Sequence, residues 1–318
     1  MYLPPAMHGR FPAVLQAPVR MKGPKKIDAR YDVTQIGNRN VAGGLDFYSI
    51  NREIAMGQEM SRELESQVRL VSDPMVTEYI NRLGQRLVRN SDAQVPFTIK
   101  VIDDDEINAF ALPGGFFYVN TGMIMATDNE AQLAGVMAHE IAHVAARHAT
   151  KNESKQNLMD MMSIPLLFFG GPAAMIVRQA VNLAIPMGYL KFSRDAEREA
   201  DLLGLEYDYS TGYDPQEYVQ LFERLKATEK KKHNLVEKAF ATHPMTTDRI
   251  KRAEEEIQKY LPAREDYIVD TSEFEAVRKR VMELGDRQKV DMGRMTPVLV
   301  RRDKESTQDQ PAQQEPRP

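Results

Sequence analysis

The sequence predicts an α+β domain, mostly helical, with a small sheet placed before its principal helix. Three observations carry this reading. Apolar residues recur at helical spacing from Asp73 onward, two short extended runs flank a Pro-Gly-Gly turn, and the stretch VMAHEIAHVAARHAT, 136–150, reads as a helix holding three of the six histidines.

Asp73-Pro74 opens the first regular helix, and Val76, Tyr79, Ile80, Leu83 and Leu87 form its apolar stripe. The run FTIKVI, 97–102, alternates like a strand, and NAFALPGG and FFYVNTG then read as two strands joined by a turn. Thr127 with Glu130 predicts a capping box opening the histidine helix. Further helices are expected from Ser193, from Asp214-Pro215 with Glu217 closing a second capping box, from about Thr247, and over 272–284 with Gly285 ending the last.

Around this core, residues 1–44, rich in Pro, Gly and basic groups, predict a loosely ordered arm. Residues 45–265 form the expected main domain, 266–300 a helical extension packed on it, and 301–318 a tail with almost nothing to bury. With 318 residues, 42 % of them hydrophobic and 28 % charged, the composition is that of an ordinary globular protein. A net charge of −4 with dispersed Lys and Arg gives no footprint for nucleic acid, and that class is set aside. The N-terminal stretch contains no apolar run of signal-peptide length, so no export signal is expected in the chain as written. The apolar segment 163–177 is shorter than the ~20 residues a spanning helix needs. It reads as a buried or lid segment, with membrane contact as the alternative.

Cysteine is absent, so thiolate chemistry and cysteine-built metal sites are excluded, and a transition metal must be held by His, Asp or Glu. His139 and His143 stand four apart, one turn along a helix face, where both imidazoles reach a single ion. Glu140 lies beside His139, where a general base acts on water. Positions 146 and 149, where a metzincin motif would place a glycine and a histidine, are both alanine, so that class is excluded. On a continuous helix His148 points about 140° away from His143 and is expected to be structural. The third ligand is then a carboxylate from elsewhere. Glu197 and Asp201, four apart on one face, supply it: one binds metal while the other accepts the free ring N–H of a ligating histidine. Glu199 falls on the opposite side, and Gly204 permits a close approach of this helix to the histidine helix. The assignment is one Zn2+ per chain on His139, His143 and Glu197, with Asp201 behind one of the ligating histidines and the fourth position open to water.

HEIAH, followed by EREAD and accompanied by NAFALPGG, YVNTG and THPMTTDRI, resembles the gluzincin metalloendopeptidase family that includes HtpX, the CAAX prenyl endopeptidase and the periplasmic BepA and LoiP proteins, which implies that residues 45–265 form a zincin-type metallopeptidase domain. The resemblance covers about 50–262 and is closest to the soluble periplasmic branch, without the helical-repeat domain of BepA-like proteins. It implies a zinc peptidase with His139, His143 and Glu197 as ligands and Glu140 as base. It also implies that Asn108, Ala109 and Phe110 lie on an edge strand aligning an extended substrate. His243, in THPM, either donates to the oxyanion, occupies a fourth metal position in a resting form, or merely enters a helix. Arg249 either pairs with a carboxylate near the site or is a surface residue. The acidic run 103–106 reads as a solvated turn rather than a calcium site, and the methionine-rich stretch 155–190 as a lid or a core hairpin.

The expected function is zinc-dependent hydrolysis of unfolded or misfolded polypeptides in the cell envelope, in the periplasm or at the membrane periphery, with the cytoplasm as alternative. Expected partners are the polypeptide substrate and an envelope complex or membrane surface. The rivals are a chaperone-like binding protein with a silent or structural zinc site, and a hydrolase of small amides. Glu140 argues against a purely structural site, which needs no base.

Overall fold

The computed structural model describes residues 29–167, 192–229, 243 and 246–295. Helices α1 (Ile50–Gln67) and α2 (Pro74–Arg89) lead into strands β1 (Thr98–Ile102), β2 (Ala109–Leu112) and β3 (Phe116–Asn120). There follow α3 (Thr121–Ala126), α4 (Glu130–Ala145), α5 (His148–Leu167), α6 (Arg194–Thr211), α7 (Pro215–Glu229), α8 (Thr247–Tyr260) and α9 (Ser272–Met295). The α+β class read from the sequence holds.

The three-stranded sheet has the order β1-β3-β2, so β2 is an edge. β1 runs parallel to β3, Thr98 opposite Phe116, and β2 antiparallel to it, Ala109 opposite Val119. The β2–β3 connection needs two left-handed residues, which Gly114 at φ 72° and Gly115 at φ 88° supply. Asp73 caps α2 and Pro74 opens it, and the stripe Val76, Tyr79, Ile80, Leu83 and Leu87 is buried as its spacing predicts.

Helix α4 is the axis of the domain: every residue from Glu130 to Ala145 is buried. A helix buried on all faces must be apolar or have each polar group partnered. Its start differs from the predicted capping box. Asn129 is the cap and accepts from the Gln132 amide, while the Thr127 hydroxyl donates to Ile124 at the end of α3. The Gln132 side chain reaches back to the Asp128 amide. Glu130 is thereby free to bind elsewhere, and its carboxylate accepts from Tyr79 (2.9 Å), Arg86 (2.7 Å), Tyr213 and Thr271. Glu217 does not close a box on α7 either; it accepts from Asn129 and Gln132 across the interface, and Asp214 caps Gln216 instead.

Three other expectations change. Helix α1 was not legible, because its buried stripe is Glu53, Gly57 and Ser61 rather than apolar. Gly285 does not end α9, which runs on to Met295; a Cβ at Gly285 would meet nothing within 4 Å, so the glycine sits in a half-buried helical turn with open space beside it. Helix α4 is not continuous with His148: Arg147 adopts φ 56°, and a new helix starts at His148. The arm is docked where it is described, since Arg39 pairs with Asp92 (2.8 Å) and Glu206 (2.5 Å) and is almost wholly buried. Residues 1–28, most of the apolar stretch 163–177, 168–190 of the methionine-rich stretch and the tail lie outside the described residues. No helix among the described residues is long and apolar enough to cross a membrane. Phe274, Val277 and Val281 of α9 enter the same core as α2 and α4.

Helices α4 and α6 pack at Gly204, where an added Cβ would lie 3.0 Å from both the Cα and the amide nitrogen of His139. Backbone cannot yield as a flexible side chain can. Gly204→Ala is expected to lower the unfolding free energy by about 1–3 kcal/mol, read from urea denaturation; an unchanged midpoint would mean the helices separate without cost. Arg39→Ala strands two buried carboxylates and should cost about 3–5 kcal/mol in the same assay. A loss near zero would show the 29–44 segment contributes nothing to stability.

Candidate metal centre

The spacing of His139 and His143 places their Nε2 atoms 3.1 Å apart on α4. From α6, whose cap is Ser193, Glu197 brings Oε2 to 3.7 Å from His139 Nε2 and Oε1 to 3.6 Å from His143 Nε2. His243 joins them, its Nδ1 2.8 Å from Glu197 Oε1. One donor atom from each of these four residues lies within 4.8 Å of the others, and all four residues are 3–7 % exposed.

A set of two or three imidazoles and one carboxylate suits a transition metal. His243 Nε2 is buried with no hydrogen-bond partner among the described residues, an orphan that a cation would satisfy. The cluster therefore fits a metal ion. Burial pushes the pKa of His143 well below its usual value, and the neighbouring His139 and His243 add to this, so the ring is held neutral as ligation requires.

The carboxylates are arranged by charge. Arg249 grips Asp201 through Nε (2.7 Å) and Nη2 (2.6 Å) and sets Nη1 2.8 Å from Glu197 Oε2. Burial opposes ionisation of Asp201, but this guanidinium outweighs it and holds the carboxyl well below the usual range. Glu197, also penalised by burial, is kept low by the His243 hydrogen bond and by the charges around it. Asp201 Oδ1 in turn lies 3.2 Å from His139 Nδ1 and accepts from the Tyr218 hydroxyl at 2.9 Å. Asp201 thus stands behind His139. Arg249 is the partner of both carboxylates rather than a surface residue.

Glu140 sits beside the cluster, its Oε1 3.6 Å from His243 Nε2, and accepts from the Ala111 amide. Burial drives its pKa up, opposed by His243 and His139. The Asn120 amide at the end of β3 donates to the Asn108 carbonyl just before β2, so in the antiparallel alternation Phe110 and Leu112 face β3 with their backbone groups, while Ala109 and Ala111 turn theirs to the other edge. The Phe110 side chain stacks on Tyr118 (5.4 Å) in a separate apolar cluster, away from the histidines. Ala109 to Leu112 are all buried, so the edge does not present an open groove among the described residues.

Four participants escaped the sequence reading. Tyr218 comes from a different helix with no motif to mark it. Phe192 stacks on the His143 ring at 4.2 Å, one residue before the α6 cap. Ala111 acts through its backbone. His148 lies against His143 rather than away from it, because the backbone break at Arg147 re-aims the new helix: the two Nδ1 atoms are 2.9 Å apart. Glu199 has a partner after all, His148 Nε2 at 3.2 Å, whose hydrogen bond lowers the Glu199 pKa. In the acidic run, Asp103 pairs with Arg69 and Asp104 accepts from the Glu106 amide.

Comparison with known proteins places this geometry in context. The family model "Peptidase family M48" matches residues 74–257. The beta-barrel assembly-enhancing protease of Yersinia pestis is 33 % identical over 222 residues, 67 % of this chain and 46 % of the relative. The protein of that name from Escherichia coli K12 is 32 % identical over 226 residues, 67 % of this chain and 45 % of the relative. The mitochondrial metalloendopeptidase OMA1 of Schizosaccharomyces pombe is 32 % identical over 213 residues, 65 % of this chain and 61 % of its own. The chain thus spans a little under half of the bacterial relatives' length. The family match covers α2 to α8, the whole stretch from which the metal cluster is assembled, and the chain belongs to peptidase family M48.

Proposed function

We propose that the chain is a zinc metalloendopeptidase that hydrolyses peptide bonds in unfolded or misfolded polypeptides. The observation that carries the reading is the convergence of His139, His143 and Glu197 with a separate, buried Glu140 beside them. His139, His143 and Glu197 would hold the ion, and Asp201 and Arg249 would fix the orientation and charge of that set. Zinc bound there supplies Lewis acidity, polarising the scissile carbonyl and acidifying a water.

Glu140, with its pKa raised by burial, is suited to take a proton from the attacking water and to hand it to the leaving amine nitrogen. Water thereby adds across the C–N bond with no covalent enzyme intermediate. With the Ala111 amide given to Glu140, the outward-facing amide and carbonyl of Ala109 and the carbonyl of Ala111 would pair with the main chain of an extended substrate once this buried edge is uncovered, which gives little dependence on side-chain sequence. Asn108 and Phe110 would support that strand rather than touch the peptide. The peptidase unit is taken as 45–265, with 266–300 as an extension of it.

His243 is read as a fourth protein donor that closes the centre in this form, which matches the deep burial of the cluster. The same feature favours the second reading, a binding protein with a silent site, because structural zinc sites complete their coordination with protein. The relatives' names and the resemblance to the soluble periplasmic branch support a role in envelope protein quality control, at the periplasm or membrane periphery, with contact to an envelope assembly complex.

The deciding experiment is cleavage of unfolded casein by zinc-loaded protein. Glu140→Gln should lose about 10²–10⁴-fold in rate with its zinc content intact; equal rates would remove Glu140 from the chemistry. His243→Ala should cleave faster than wild type, and a slower variant would make His243 an oxyanion donor instead. Absence of cleavage by all three, with zinc bound, would favour the binding-protein reading. Zinc at 100 times its Kd should add about 2.7 kcal/mol to stability, seen as a raised melting temperature; His139→Ala should abolish the rise.

A further inference from the structure

His143 differs from His139 in what stands behind its ring. A carboxylate, Asp201, meets His139 Nδ1 directly. Behind His143 there is a second imidazole instead: His148 Nδ1 at 2.9 Å from His143 Nδ1, with the Glu199 carboxylate 3.2 Å from His148 Nε2. His148 is 5 % exposed, whereas the Glu199 side chain is 30 % exposed.

The proton positions follow from which groups can donate. An ionised carboxylate only accepts, so His148 Nε2 must carry the hydrogen that joins it to Glu199. Between the two Nδ1 atoms one nitrogen donates and the other accepts. If His148 donated there, His143 would be left with its hydrogen on Nε2, pointing into the cluster and unable to ligate. If His143 donates, its Nε2 presents a lone pair beside His139 Nε2, 3.1 Å away.

We propose that His148 and Glu199 are positioning residues that hold His143 in the tautomer whose Nε2 lone pair faces the metal site. The relay runs from His143 Nδ1–H to His148 Nδ1, and from His148 Nε2–H to Glu199. It depends on the Arg147 backbone, whose φ of 56° ends α4 and starts α5 with His148 against His143. That conformation is strained for a residue with a side chain, and three bonds hold it: Arg147 to Glu53 (2.6 Å), to Asp46 (3.2 Å) and to the Tyr48 carbonyl (2.7 Å). The inference rests on the reading of His143 as a ligand.

The test is zinc affinity by chelator competition together with ¹⁵N spectra of histidine-labelled full chain, metal-free and zinc-loaded. In wild type the His143 ring should show a protonated Nδ1 in both states. His148→Ala should weaken zinc binding about 10–100-fold and release the metal-free His143 into a mixture of tautomers. His148→Asn, whose Oδ1 accepts at the place of Nδ1, should recover most of the affinity. Glu199→Ala removes a partly exposed side chain, so it tests the relay even where a His148 variant fails to fold; it should weaken binding several-fold. Zinc bound equally tightly by His148→Ala and Glu199→Ala, with His143 still protonated at Nδ1, overturns this inference alone. A wild type that takes up no zinc overturns the ligand reading and this inference with it.

Discussion

The cluster depends on one steric constraint, the closeness with which α6 lies against α4. At Gly204 there is room for a hydrogen and little more, with the His139 backbone 3.0 Å from where a Cβ would stand. That contact sets the distance from α6 carboxylates to α4 imidazoles. Glu197 and Asp201 lie two and one turns before Gly204, so both are carried on the approaching face. A wider separation would leave the same residue types in place but too far apart to share one ion.

Such closeness has an electrostatic consequence. Two carboxylates, Glu197 and Asp201, and a third, Glu140, are buried within one small volume, and like charges there repel strongly in a medium that screens poorly. Arg249 resolves the first two by binding both. Glu140 is left out of that pairing, and its environment moves it the opposite way, toward holding a proton. Which carboxylates are held ionised and which is pushed toward its protonated form therefore follows from which of them the single guanidinium reaches.

Local periodicity made some of this legible and not the rest. The His139–His143 and Glu197–Asp201 pairs are spaced by one helical turn, and spacing within a helix survives folding. The same rule misplaced His148, because it assumes a helix that continues, and nothing in AARH marks the break; the strain at Arg147 is sustained by Asp46, Glu53 and the Tyr48 carbonyl, about a hundred residues earlier. Helix α1 escaped for a related reason: its inner stripe is polar and small, since Glu53 serves Arg147 and the Gly114 amide and Gly57 admits the Pro113 carbonyl. Capping motifs were misread where a side chain had a distant partner. Glu130 and Glu217 have the right spacing for local caps, but each is drawn across an interface. Arg249 and His243 were visible only through the resemblance, as no local pattern ties them to α4.

The chain order of these parts bears on biosynthesis. Glu130, at the head of the histidine helix, gathers hydrogen bonds from Tyr79 and Arg86 before it in the chain and from Tyr213 and Thr271 after it. The imidazoles of α4 wait for Glu197, then for His243 and Arg249, before their surroundings are complete. A chain made from its N-terminus has therefore emitted most of its length before the cluster is complete, because such long-range closures come late. A nascent chain of this design therefore holds an incomplete cluster until α8 has left the ribosome.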